Sequence, residues 1–329
     1  MPAIRRILVP IKDMKGRSMP AVLKAAQLAR AFGSEVELYH SLATPVYFDP
    51  LVLGEKGIEA LERDLRQQAL RRLESIADRI RQHSIRVNVA AEWDFPVHEA
   101  IVRRALRIKA DLIVVEQHSG RHRAAALLRL TDWELIRHSP VAVLLVKNSH
   151  PYRHPAVLAA IDPAHAFAKP ARLDGAVLRE GHALSRHLRG SLHAVHAYAP
   201  IPIDSVPARG VTPAIIDGIA LQSERTARKH FERALARTRI AKSHRYLVGR
   251  HPIDAIAEAA RKSRSAIVVM GAISRSGIKQ LLIGNTAERI IDELSCDILV
   301  VKPAGFRTRV PLKGRGVRLM AASAVSGFY

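Results

Sequence analysis

Gly271 and Gly284, with Ser274, Arg275, Asn285 and Thr286 between and after them, have the types and spacing suited to holding phosphate. Residues 266–270 are a short Val/Ile run that reads as a strand. Gly271 therefore falls at a strand end, where the lack of a side chain lets a backbone approach a phosphate closely. Gly284-Asn285-Thr286 reads as the opening of a helix whose free N–H groups and dipole favour an anion. The Ser274 hydroxyl can donate to a phosphate, or its side chain can obstruct one. Arg275 can neutralise phosphate charge or lie on the surface. A plain strand-to-helix turn, using glycine only for its backbone angles, accounts for the same spacing.

Other chemistries find less support. No Gly-x-Ser-x-Gly nucleophile elbow and no Walker lysine loop is present. His193 and His196, three apart on an expected strand, point to opposite faces. His118 and His122 read as loop residues rather than metal ligands. Cys296 is the single cysteine, which excludes an intramolecular disulfide and reads as a small apolar residue entering a strand. Thr131 or Asp132 reads as the cap of a helix that begins near Trp133. The expectation is a binding protein, not an enzyme, with no metal site of its own.

The elements that would position the phosphate residues come from reading the chain as an internal repeat. Residues 7–11 and, about 150 residues later, 157–161 are short buried strands. Each precedes a helix-period segment, one stopping at Gly33 and the other at Gly190, both expected as C′ glycines. Second strands follow at 35–40 and 191–198, and third strands at 85–91 and 244–248. Helices open near Pro96 and Pro252, where a missing N–H is tolerated. The most apolar runs, 111–115 with 141–146 and 266–270 with 298–301, read as strands covered on both faces. Each half is thus β-α-β-α-β-α-β-α-β, a five-stranded doubly wound parallel sheet of the α/β class. Ligands of such sheets bind beyond the carboxyl ends of the strands, where strand order reverses.

The 329 residues suit two domains: 1–148 and 152–303, followed by a basic extension over 304–329. Lys and Arg total 52 against 30 Asp and Glu, a formal charge of +22 that attracts polyanions. Aromatic residues are only 5% and do not interleave with the arginines, which argues against specific nucleic-acid binding. Arg307, Arg309, Lys313, Arg315 and Arg318 make the extension basic, and it reads as a solvated tail, with an electrostatic contact to nucleic acid or another acidic partner as the alternative. No apolar stretch approaches the roughly 18 residues of a membrane span, and the run 7–11 is too short for a signal peptide, so the cytoplasm is expected.

Gly271, Ser274 and Gly284-Asn285-Thr286 resemble the phosphate loop of the universal stress protein family, with Ser274 in place of the middle glycine and Thr286 at the hydroxyl position. The likeness is closer to the E-type tandem members. It rests on Trp93-Asp94-Phe95-Pro96, Thr131-Asp132-Trp133, His138-Ser139-Pro140-Val141, Gly284-Asn285-Thr286-Ala287-Glu288 and the run from Cys296 to Pro303, and it spans roughly residues 4–312. The resemblance implies a pair of Rossmann-like domains of the adenine nucleotide alpha hydrolase type, packed as a pseudo-dimer through their last strands. A homodimer is left open. It also implies a stress-response role and an adenine nucleotide partner, with ATP and magnesium as the candidate cofactor. In the family an acidic residue at the end of the first strand faces the nucleoside; Asp162 holds that place in the second half. In the first half the place is held by Lys12, with Asp13 one residue late. Glu116, Ser119 and about Arg129 stand where the loop glycines belong. The resemblance thus implies a degenerate first site and a candidate second one. A nucleotide-independent adaptor acting through its basic surface, or a carrier of another phosphorylated or apolar ligand, are the alternatives.

Overall fold

The computed structural model describes residues 4–14, 16, 19–43, 46–48, 55–117, 123–165, 173–200, 213–271 and 285–321. The chain divides into two compact units, Pro2–Pro151 joined by Arg307–Tyr329, and Tyr152–Phe306.

In the first unit β1 (Arg6–Pro10) leads into α1 (Pro20–Phe32), whose Ala21, Val22, Ala25, Leu28 and Ala29 are buried at helical spacing. Pro20 occupies the first turn, and Gly33 ends the helix at φ 72°, its N–H reaching the Ala29 carbonyl. Then follow β2 (Glu35–Leu42), a short β3 (Val46–Phe48), α2 (Glu55–Arg81), β4 (Val87–Trp93), α3 (Val97–Arg107), β5 (Leu112–Glu116), α4 (Arg123–His138) and β6 (Ala142–Val146). The parallel ladders run β4-β2-β1-β5-β6. Strand order therefore reverses between β1 and β5.

The second unit repeats this with β7 (Ala156–Ala160), α5 (Leu173–His187), β8 (Ser191–Ala197), α6 (Pro213–Leu235), β9 (Arg245–Val248), α7 (Pro252–Ser263), β10 (Ser265–Gly271), α8 (Asn285–Glu293) and β11 (Asp297–Val301). Its ladders run β9-β8-β7-β10-β11, all parallel, with the reversal between β7 and β10. The central strands of both units are Val, Ile, Leu and Ala runs with almost no exposure, as helices on both faces require. Cys296 is buried just before β11. Among the described residues no helix is long and apolar enough to cross a membrane.

Four details depart from the sequence reading. The third strand of the first unit begins at Val87, while Ile85 is buried in the segment between the turn and the strand. Gly190 does not end α5 in the left-handed conformation; Arg189 does, at φ 54°. Gly190 is required for another reason: a Cβ there would lie 1.9 Å from the Pro155 carbonyl oxygen. Asp132 caps nothing, because it sits inside α4 and is buried. The residues after Phe306, though mostly exposed, are not a free tail over their described length. They fold onto the first unit, and β12 (Leu319–Ala321) pairs in parallel with β3.

One buried cluster gives the second unit a pH response. The His193 ring on β8 stacks on His244 with centroids 3.9 Å apart, and Ser191 Oγ lies 2.9 Å from its Nε2. Burial, with a smaller contribution from His244, lowers the His193 pKa from 6.5 to about 4. Between those values the unfolded chain holds a proton that the folded one does not, so stability falls as pH drops through that window. Urea midpoints measured at pH 7.5 and 5 should differ in the wild type and differ less in His193→Gln. An unchanged pH response in the variant would contradict this assignment.

Candidate functional site

In a doubly wound sheet the first residues beyond adjacent central strands converge where the crossovers part to opposite sides. In the second unit those strands are β7 and β10, in register with Ala160 opposite Met270. Asp162 and Gly271 are the residues they present there. Asp162 is half-buried, and its N–H donates to Asp174 Oδ1 (3.2 Å) at the start of α5. One Asp162 carboxylate oxygen lies 4.0 Å from Nδ1 of His196, a fully buried side chain on β8 whose ring meets Phe231 at 5.9 Å. Asp174 and His196 are parts of this corner that the sequence reading missed. The burial of His196 is visible as an inward position on a strand, but its approach to Asp162 depends on the ladder between β7 and β8.

Gly271 ends β10, and it is there for close packing as well as for any ligand. A Cβ at this position would meet Leu173 Cδ2 at 2.5 Å and its Cγ at 2.9 Å. Asn285 and Thr286 are the first residues of α8, the place where N–H groups lack intrahelical partners. Ser274, Arg275 and Gly284 lie outside the described residues. The corner thus brings together Asp162, Gly271 and, through β7, β8 and α5, His196 and Asp174.

The equivalent corner of the first unit is differently furnished. Lys12, two residues beyond β1, forms an ion pair with Asp132 of α4, and both side chains are almost wholly buried. Glu116 ends β5 beside them. Burial raises its pKa, opposed by the nearby Lys12 charge and by a hydrogen bond from the Ala21 backbone. A cavity of about 180 Å³ remains, lined by Ile11, Lys12, Asp13, Met19, Val22 and Glu116. Among the described residues, Lys12 is set against the carboxyl groups of Asp13, Glu116 and Asp132, an arrangement unfavourable to phosphate. His118, His122, Ser119 and the side chain of Arg129 lie outside the described residues. Among the described residues no group of three or more His, Cys, Asp or Glu could hold a metal ion.

Comparison with known proteins agrees with this duplicated architecture. The chain is 25% identical to universal stress protein E of Escherichia coli K12 over 316 residues, covering 94% of this chain and 98% of that one. A solved protein of Pseudomonas aeruginosa PAO1 superposes with a TM-score of 0.67 at 22% identity, covering 92% of this chain and 93% of that one. A universal stress protein of Archaeoglobus fulgidus DSM 4304 does so with a TM-score of 0.59 at 16% identity, covering 92% and 97%. The universal stress protein family pattern matches twice, over residues 3–147 and 157–302. Two copies of one αβ unit, each with its own switch point, together with these two matches, make the chain a tandem member of the universal stress protein family.

Proposed function

We propose that this protein is a stress-response binding protein, acting in the cytoplasm, whose second domain takes an adenine nucleotide, ATP with magnesium. Asp162 would face the nucleoside. Gly271, Ser274, Arg275, Gly284, Asn285 and Thr286 would receive the phosphates at the opening of α8. The observation that carries this reading is the contrast between the two switch points. In the first domain the corner is occupied by the Lys12–Asp132 ion pair and by Glu116. In the second, the equivalent strand ends present a half-buried carboxylate, a glycine and a helix start. The stress role follows from family membership and from the relative named universal stress protein E. Binding, rather than turnover, is the activity in this reading.

Ligand-induced stabilisation tests it. Nucleotide at 100 times its dissociation constant adds about 2.7 kcal/mol to stability. For domains of this size that is a rise of about 5–10 °C in the thermal midpoint. Purified, nucleotide-free protein should show such a rise with millimolar ATP and magnesium, and the Asp162→Ala/Gly284→Asp variant should not. No rise in the wild type would overturn the nucleotide reading.

A further inference from the structure

The opposite end of the first domain, where the parallel strands begin, carries a second feature that owes nothing to the nucleotide reading. A groove of about 510 Å³ is lined there by Arg5, Arg6, Gly33, Glu35, Arg86, Lys109 and Asp111. Its two carboxylates are already engaged. Asp111 Oδ2 accepts the backbone N–H groups of Arg5 (2.7 Å) and Arg6 (3.0 Å), fixing the chain as it enters β1. Glu35 holds Arg86 at 3.0 Å and Arg6 at 3.8 Å, and Arg6 also donates to the Ile108 carbonyl (2.7 Å). These bonds give Arg6 and Arg86 set positions at the heads of β1 and β4. Arg5 and Lys109 are exposed and have no carboxylate partner among the described residues.

Helix dipoles do not account for this collection of charge. The carboxyl ends of α1 and α3 do point toward the groove, but Arg30, Arg104 and Arg107 already lie in those last turns. Arg5 and Arg86 lie outside any helix. Lys109 holds a left-handed backbone at φ 52°, a conformation that glycine adopts freely and that costs another residue about 1 kcal/mol. The same substitution recurs in the second domain, where exposed Arg189 (φ 54°) and Arg264 (φ 50°) end α5 and α7 just before β8 and β10. Three of the five described non-glycine residues with a left-handed backbone are thus cations at the heads of strands, the other two being Ser84 and His154.

From these features we infer that the strand-head groove of the first domain binds the phosphate backbone of nucleic acid without reading its bases. From β4 to β5 it spans three strand spacings, about 14 Å, enough to meet several backbone phosphates at once. Among the described residues no aromatic side chain lines it, so base stacking is not part of the contact. Nor is any of the described exposed large apolar residues among its lining, which disfavours a membrane surface, where insertion of apolar groups supplies much of the hold. The net charge of +22 adds long-range attraction, while the groove supplies the place.

The test uses full-length protein and an arbitrary-sequence DNA duplex of about 30 base pairs, with affinity followed against salt. Each lost phosphate contact lowers the slope of log affinity against log salt by about 0.9. Arg5→Ser/Lys109→Gly should lower it by about 2 and weaken binding about tenfold at moderate salt. The glycine relieves the Lys109 backbone, so this variant keeps its fold, which its thermal midpoint verifies. Arg225→Ser/Lys229→Ser, which removes the same charge from an exposed face of α6, should change little. Equal losses in the two variants would mean that net charge alone acts, and would overturn the groove. So would wild-type protein that ignores the duplex at low salt yet binds phosphatidylserine vesicles.

Discussion

Lys12→Met is expected to destabilise the first domain by about 3–5 kcal/mol, because it removes the Lys12 ammonium from a buried, hydrogen-bonded ion pair. The pair lies at the carboxyl-end corner of the sheet, each side chain about 4% exposed, with the Glu116 carboxyl beside it and a small cavity in front. The Coulomb attraction offsets the desolvation of both ions only while both are present. Lys12→Met/Asp132→Leu should therefore recover most of the loss, since replacing a whole buried pair by apolar groups is often close to neutral. Urea unfolding of the two variants beside wild type gives the comparison. A double variant less stable than Lys12→Met would show that the loss comes from packing around the lysine stem instead. The same variants bear on function. If the first corner is a filled site and the second takes the nucleotide, the ATP-induced rise in thermal midpoint persists in the double variant.

The sequence declares its sheets better than its corners, and the reason is range. Buried parallel strands are written as continuous Val, Ile and Leu runs, so 111–115, 141–146, 266–270 and 298–301 could be placed without knowing their neighbours, and each overlaps an observed strand. Gly33 and Pro252 mark helix ends by backbone chemistry that is local to them. Gly190 carried the same local signal and misled, because its role is to clear the Pro155 carbonyl, 35 positions away. Asp132 looked like a cap because Thr131 and Asp132 are capping residues. Its partner Lys12 lies 120 residues earlier, and no periodicity reports that distance. The second corner was legible in part: Gly271 and the start of α8 follow from a strand end and a helix opening, and Asp162 from the family resemblance. Asp174 and His196 join it only through the ladder and the path of α5. The strand-head groove was written as excess arginine in the composition, but its location needed the register of four strands.

The extension after Phe306 shows the same limit, and it makes the other large effect predictable. Arg103, on α3 and about 1% exposed, spends its guanidinium on five acceptors. Nε and Nη2 grip Asp94 at 2.6 and 2.8 Å, and Nη2 also donates to the Phe95 carbonyl (3.1 Å). Nη1 reaches Glu99 (3.0 Å) and the Pro311 carbonyl (3.1 Å) of the extension. Arg315 closes the knot: its backbone N–H donates to Asp94 Oδ1 (2.9 Å), and its guanidinium lies 3.1 Å from Glu99. Arg103→Leu should thus cost about 3–5 kcal/mol, leaving the buried Asp94 carboxylate with backbone N–H donors but without its cation. It should also free the extension, so trypsin would cut after Lys313, Arg315 or Arg318 faster than in wild type. Arg103→Lys keeps the charge but lacks the planar fork, and should fall between the two. Removing residues 307–329 leaves the Asp94–Arg103 pair intact and should cost less than Arg103→Leu. Were the truncation as damaging, the extension itself, and not the guanidinium, would be what holds this corner of the domain. Unaltered cleavage in Arg103→Leu would show instead that the β3–β12 ladder anchors the extension unaided.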